Sequence, residues 1–342
     1  MSEKSFFEKI KDIPRRRYIT QITPLQRLAH LSQALGGNVE LYIKRDDLLP
    51  FGGNKTRKLE FLFQEAVDLS ADTIITASTV QCNHNLMAIL MANIEGMKTE
   101  LILENWAKSD YDYELDPNKH LYEFAGVSRT VSCGAPVTGP LHTMELALDM
   151  KADLEVQGRK PYILARGGTC PLGNCGYILC AEELIQQGRE RNLDFDYVVC
   201  PSGTGGTQAG LILGFEQAGY PASVIGINVA QKNERQLNSV SGALEGTASL
   251  LNLETPQKDK IRCYEEYVGE GYSRPTVELK EAIELLARTE GILLDPVYSG
   301  KTLAGLIGLI RSGAIQKGSR VVFLHTGGFQ TYYDYSSMKE ML

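Results

Sequence analysis

Short apolar runs alternate along this chain with stretches whose apolar residues recur every three to four positions, and that alternation predicts βαβ organisation. Leu41-Tyr-Ile-Lys-Arg-Asp-Asp47 reads as a strand entering a charged turn, and Leu59, Leu62, Phe63, Ala66 and Val67 then mark one face of a helix. The pattern continues through Thr73-Ile-Ile-Thr76, a helix after Asn83, Glu100-Leu-Ile-Leu103, Thr130-Val-Ser-Cys133, a helix from about Leu141 to Val156, and the strand Tyr162-Ile-Leu-Ala165. Upstream, the proline in Ile22-Thr-Pro-Leu25 predicts an irregular connection, followed by a helix carrying Leu28, Leu31 and Leu35. Downstream, Tyr197-Val-Val-Cys200 is a strand, and the motifs beginning at Leu293 and Phe323 are each expected to follow an apolar strand. Asp110 to Pro117 has no clean period and reads as a surface loop over a cleft.

Between the first strand and its helix lies Phe51-Gly-Gly-Asn-Lys-Thr-Arg-Lys-Leu-Glu60, which places Lys55 at a strand-to-helix junction directly after a glycine pair and Asn54. Such junctions hold the chemistry of α/β folds. One reading makes Lys55 a solvated base beside Arg57 and Lys58. The other uses the glycines, which let the backbone approach a ligand and hold the amine where it can form a Schiff base with an aldehyde. No glycine stands at Walker spacing before it, which disfavours a nucleotide-binding P-loop.

A second glycine cluster, Pro201-Ser-Gly-Thr-Gly-Gly-Thr-Gln-Ala-Gly210, follows the strand ending at Cys200. Glycines and hydroxyls between a strand and a helix supply backbone N–H groups and a positive dipole end, which suit a phosphate. The spacing is not GxGxxG, which disfavours a nicotinamide dinucleotide. A lysine for an aldehyde and a loop for a phosphate are together the requirements of pyridoxal 5′-phosphate. Ser299 and Thr326 can each offer a neutral hydroxyl to its ring nitrogen, while Asp295 and His325 read either as catalytic groups or as buried turn stabilisers.

Composition narrows the alternatives. The 342 residues, 43% hydrophobic and 23% charged, are ordinary for a large globular chain of two domains. A formal net charge of -7 excludes a general nucleic-acid footprint, and Arg15-Arg16-Arg17 reads as a solvated cluster. The first residues lack a signal-peptide core and no apolar run reaches membrane-spanning length, so a soluble cytoplasmic protein is expected. Seven scattered cysteines fit a reducing compartment rather than a disulfide framework. Cys170, Cys175 and Cys180 are spaced so that a helix turns them apart, which argues against a metal site.

In this order the motifs resemble the fold-type II pyridoxal-phosphate enzymes, specifically the D-cysteine desulfhydrase and 1-aminocyclopropane-1-carboxylate (ACC) deaminase family. The likeness rests on Ile43–Asp47, Phe51–Lys55, Arg57–Glu60, Gln81-Cys-Asn-His84, Ser202–Thr207, Gly271-Tyr272, Leu294–Lys301 and His325–Gly328. It implies a tryptophan synthase β-like fold of two open twisted α/β domains with the cofactor in the cleft between them. The larger would span 1–50 and 160–342, the smaller 51–159. It further implies that Lys55 holds the cofactor with Asn54 beside it, that Asn83 bonds its 3′ oxygen, and that Gly203, Thr204, Gly205, Gly206 and Thr207 hold its phosphate. Cys82, Asn83, His84, Tyr272 and Tyr298 would meet a small amino-acid substrate, and the assembly would be a homodimer.

Cys82 stands where the family usually has serine, a position tied to the substrate carboxylate. The change is either a conservative swap of small side chains or a change of specificity, since a thiol is larger and a weaker hydrogen-bond donor but a stronger nucleophile. ACC deaminases typically carry glutamate and leucine where this chain has Ser299 and Thr326. A glutamate would keep the ring nitrogen protonated, whereas neutral hydroxyls suit direct β-elimination. The expected activity is therefore α,β-elimination from D-cysteine to pyruvate, hydrogen sulfide and ammonia, with Lys55 moving the α-proton. ACC deamination, elimination from another β-substituted amino acid such as cysteate, and a non-catalytic cofactor carrier or sensor are the alternatives.

Overall fold

The computed structural model describes residues 4–104, 116–133 and 140–328. In chain order the first elements are α1 (Phe6–Lys11), β1 (Leu25–Arg27), α2 (Ala29–Ala34), β2 (Glu40–Arg45), α3 (Lys55–Asp68), β3 (Thr73–Thr79), α4 (Asn83–Ile94), β4 (Lys98–Glu104) and α5 (Pro117–Phe124). Next come β5 (Arg129–Ser132), α6 (Pro140–Val156), β6 (Pro161–Ile163), α7 (Pro171–Arg189), β7 (Tyr197–Ser202), α8 (Gly206–Gln217) and β8 (Ser223–Asn228). The last are α9 (Asn233–Leu250), β9 (Arg262–Tyr264), α10 (Val277–Glu290), α11 (Ser299–Arg311) and β10 (Arg320–His325).

The strands form two sheets, a six-stranded one ordered β1-β2-β10-β7-β8-β9 and a four-stranded one ordered β5-β4-β3-β6. All pairings are parallel except β1 with β2. A parallel sheet must be covered on both faces, and β10 shows how the sequence does this. Val321 and Phe323 face a core made with Leu303 and Leu306 of α11, while Val322 and Leu324 face the opposite core with Tyr177 and Ile178 of α7. The smaller sheet is covered likewise. Ile74 packs with Leu62 and Phe63 of α3 and Met87 of α4, and Ile75 packs with Met150 and Leu154 of α6.

Strand order positions the site. Because β10 lies between β2 and β7, the loops leaving the carboxyl ends of these three strands converge, the place where open α/β sheets bind ligands. The turn after β3 of the smaller sheet faces them.

Two elements differ from the sequence reading. Residues 22–24 form the expected irregular connection, but Leu25–Arg27 continues it as an antiparallel edge strand that the sequence reading lacks. Pro24 is tolerated at its start because its carbonyl accepts from the Arg45 amide at 2.9 Å, so no proline N–H is needed. The motif beginning at Leu293 does not follow a strand: α10 precedes it and ends at Gly291 in the left-handed conformation, and residues 292–295 run into the core without a ladder. Burial of Ile292 and Leu294 against α10 and α11 accounts for their apolar character. Residues 110–115 of the expected surface loop lie outside the described residues, and Asp116 caps α5 through the Asn118 amide.

Candidate active site

A buried charge network sets the start of α3. The Asp46 carboxylate, just past β2, accepts from Arg57 Nε and Nη2 at 2.8 Å, from the Thr23 hydroxyl at 2.9 Å and from the Tyr177 hydroxyl at 2.9 Å. Arg57 also donates to both oxygens of Glu183 on α7 at 2.8 Å, and Lys44 of β2 donates to Glu183 at the same distance. Burial disfavours the Glu183 carboxylate, but the Arg57 and Lys44 cations beside it hold its pKa down to about 2. The first turn of α3 is thereby locked to β2 and α7.

Before that turn the chain doubles back through Phe51 and Gly52, both at positive φ, into an extended Gly53. Gly53 bridges Gly327, and the Asn54 amide donates to the Thr326 carbonyl at 3.0 Å. A Cβ on Gly53 would sit 2.6 Å from Asn83 Nδ2 and 2.7 Å from the Thr326 oxygen. Glycine is therefore the residue that lets the lysine loop, the end of β10 and the start of α4 meet. Lys55 opens α3, its Nζ 3.4 Å from Asn54 Oδ1, and faces the cleft. Burial lowers its pKa below that of an ordinary lysine, with Cys82 and Asp295 pulling the other way.

The cleft, counted together with its opening to solvent, holds about 850 Å³ of empty space. From the smaller-sheet side it is lined by Ser78, Thr79, Cys82 and Asn83, with Arg166 and Gly167 beside them; from the other by Gly203, Thr204, Gly205, Thr207, Gln231, Tyr272, Tyr298, Thr326 and Gly327. Cys82 precedes α4 and Asn83 begins it, so both stand at a helix N-terminus. Thr79, Tyr272 and Tyr298 form a hydroxyl chain, with oxygens 2.7 Å and 2.6 Å apart in turn. Burial pushes both phenol pKa values up, and the Cys82 sulfur adds to this. The tyrosines thus stay protonated as donors.

The anion cradle lies between β7 and α8. Gly205 takes φ 87°, and a Cβ on Gly206 would sit 2.2 Å from Asn174 Oδ1, so the helix starts tight against α7. Its first amides have no intrahelical acceptor and carry the positive end of the dipole. Thr204 and Thr169 hydroxyls are 2.6 Å apart, and Lys58 donates to Thr169 at 3.0 Å. Lys58 is buried, and burial, reinforced by Lys55, pulls its pKa well down.

Three of the expected site residues do not line the cleft. Gly206 is turned into the α7 contact. Ser299 is fully buried, its amide donating to Asp295 Oδ1 at 2.7 Å and its own oxygen accepting from the Asp295 amide at 3.0 Å. His84, the second residue of α4, turns onto β3 with Nε2 2.9 Å from the Thr76 hydroxyl, and burial lowers its pKa to about 3. Asp295 also accepts from the Val297 and Tyr298 amides, and His325 Nδ1 accepts from the Gly327 amide while Nε2 meets the Leu293 carbonyl at 3.0 Å. Asp295 and His325 therefore shape turns. Lys58, Arg166, Ser78 and Gln231 were not read as site residues. Two of them carry a signal: Lys58 stands within the lysine motif, and Arg166 adjoins Gly167 and Gly168, both at positive φ.

These residues fit pyridoxal phosphate: an amine for its aldehyde, free helix amides for its phosphate, and amide and hydroxyl side chains for its ring. A buried lysine of lowered pKa facing a glycine-rich helix N-terminus across the ends of parallel strands is the arrangement of an α/β enzyme suited to that cofactor. The chain belongs to the pyridoxal-phosphate dependent enzyme family, which matches residues 17–327. It is 36% identical over 331 residues to a D-cysteine desulfhydrase of Serratia proteamaculans, covering 96% of this chain and 98% of that protein. It is 37% identical over 321 residues to an ACC deaminase of Bradyrhizobium, covering 92% and 94%. A solved ACC deaminase homologue superposes with a TM-score of 0.88 at 32% identity, covering 100% of both chains. The fold-type II α/β architecture and the cofactor expected from the motifs are thus found.

Proposed function

We propose that this enzyme eliminates the β-substituent of D-cysteine, converting it with water to pyruvate, hydrogen sulfide and ammonia. One observation carries the choice of branch: no carboxylate is among the described residues lining the cleft, where Thr326 stands beside Gly327. A neutral hydroxyl at the ring nitrogen does not hold it protonated, which favours loss of a β-leaving group over ring opening.

When bound, pyridoxal phosphate supplies an aldehyde that condenses with amines and a ring that takes up the electron pair left at Cα. The first amides of α8, with Gly203, Thr204, Gly205 and Thr207, hold the phosphate, and Gly206 keeps that turn tight. Asn54 and Asn83 orient the ring and its 3′ oxygen, and Thr326 faces the nitrogen, with Ser299 supporting that end through Asp295. Lys55, with its lowered pKa, is neutral in a larger fraction than an exposed lysine and takes the Cα proton. Cys82 and Asn83 face the substrate carboxylate, and His84 ties that helix turn to β3 through Thr76. Tyr272 and Tyr298 donate toward the departing sulfur. In this reading the domains divide as 1–50 with 160–342, and 51–159; the two sheets support that division except at β6, which pairs with β3 of the smaller sheet and moves the return to the larger domain past Ile163.

ACC deamination is the second reading, favoured by the 37% identical deaminase. A panel of D-cysteine, L-cysteine, ACC and cysteate separates them. Pyruvate with sulfide from D-cysteine supports the proposal; 2-oxobutyrate from ACC with an inert D-cysteine overturns it. A cytoplasmic homodimer is part of the proposal. Seven free cysteines support a reducing compartment, the family likeness supports the dimer, and no described helix is long and apolar enough to cross a membrane.

A further inference from the structure

We propose that Lys301 is a positioning residue for this reaction, fastening the loop that carries Tyr272 to the helix turn that carries Tyr298. Tyr298 precedes α11 and Lys301 is its third residue, so one turn presents a phenol to the cleft and an amine to the loop behind it. Lys301 is fully buried, and its Nζ donates to the Val268 carbonyl at 2.7 Å and the Gly271 carbonyl at 2.6 Å. Among the described residues no carboxylate meets it, and both of its hydrogen bonds go to backbone carbonyls. A buried amine held this way is costly for stability, and an aliphatic side chain would pack there more favourably.

The loop needs such a fastening. Between the end of β9 at Tyr264 and the start of α10 at Val277 it joins no strand ladder. Gly269, Gly271 and Ser273 all take positive φ, the last without the freedom of glycine. Its backbone bonds are local: Val268 N to Glu265 O at 3.0 Å and Arg274 N to Gly271 O at 3.3 Å. Gly271 O, which Lys301 holds, is the carbonyl directly before Tyr272. Farther along α11, Tyr267 rests on Gly308, where a Cβ would sit 1.9 Å from its hydroxyl, so the same helix grips the loop at two places. Lys301 sets where Tyr272 enters the cleft, and with it the 2.6 Å contact to Tyr298.

The inference rests on the tyrosine pair handling the leaving group, and its test reads the loop apart from turnover. In the Lys301→Met holoenzyme, cofactor absorbance and melting temperature stay near wild type, while hydrogen exchange rises about tenfold or more in peptides covering 265–276 and not in those covering 203–207. Turnover of whichever amino acid the enzyme accepts falls about 10–100-fold. In a Tyr272→Phe background the same substitution costs less than about threefold, because the residue it positions has lost its hydroxyl. Equal losses in both backgrounds, or unchanged exchange at 265–276, overturn the proposal. If Lys301→Met does not fold, Lys301→Gln, which keeps a donor, carries the comparison. Failure of both to fold overturns it too, by assigning Lys301 to core stability. An inert substrate panel would instead count against the proposed reaction and leave the exchange result standing.

Discussion

Gly53 shows how much a single missing side chain can decide. Its backbone is extended, a conformation open to any residue, so the requirement for glycine is steric: Asn83 Nδ2 and the Thr326 carbonyl both stand where a methyl would go. The amide side chain can swing away, but the backbone carbonyl cannot without moving the end of β10. Gly53→Ala is expected to cost about 1–3 kcal/mol of stability, the range of overpacking, and to weaken cofactor binding in a titration of the apoenzyme. Gly242→Ala, on an open stretch of α9, is the control and should be neutral or stabilising by up to about 1 kcal/mol. At this scale the sequence was most legible where chemistry and punctuation coincide. Lys55, Asn83 and Thr204 reach the cleft as their motifs indicated. Ser299 and His84 share those motifs but turn to Asp295 and Thr76, because residues adjacent on a helix point in different directions.

Among elements, the junctions carry the charge. Asp46, Arg57, Glu183 and Lys44 join β2, α3 and α7, while His84 lies neutral between the first turn of α4 and β3. Burial, with Lys55 and Lys58 nearby, holds His84 at about 3 against an ordinary 6.5; cations hold Glu183 at about 2 against 4.5 despite its burial. Both groups bind fewer protons folded than unfolded, so their contribution is fully present above pH 6.5 and lost as pH falls. His84 acts from 6.5 down to about 3 and Glu183 from 4.5 down to about 2. Urea unfolding at stepped pH should show stability declining by up to about 1.4 kcal/mol per pH unit for each group across its window. His84→Gln should flatten the upper part, and an unchanged slope would contradict the assignment. Regular helices such as α3 were legible from their period. The edge strand β1 and the buried run Ile292–Asp295 were not, since an apolar run records burial and leaves backbone form open.

The whole molecule is two parallel sheets that share one cleft, and neither sheet contains the site alone. The larger supplies the anion cradle, both tyrosines and Thr326; the segment running through the smaller supplies Lys55, Cys82, Asn83 and Thr79. The hydroxyl chain from Thr79 to Tyr298 crosses between them. βαβ alternation made the α/β class readable, yet the placing of β10 between β2 and β7 was not, because parallel neighbours are set by long-range packing.

The central claim is that Lys55, rather than another buried lysine, carries the cofactor. Lys58 and Lys301 also lie buried with lowered pKa values, so the rivals are specific. The direct measurement is borohydride reduction of the pyridoxal-phosphate-loaded enzyme, followed by peptide mapping by mass spectrometry. The account predicts the reduced cofactor on the peptide containing Lys55, with no labelling in Lys55→Ala; label on Lys58 or Lys301, or undiminished labelling and turnover in Lys55→Ala, would contradict it.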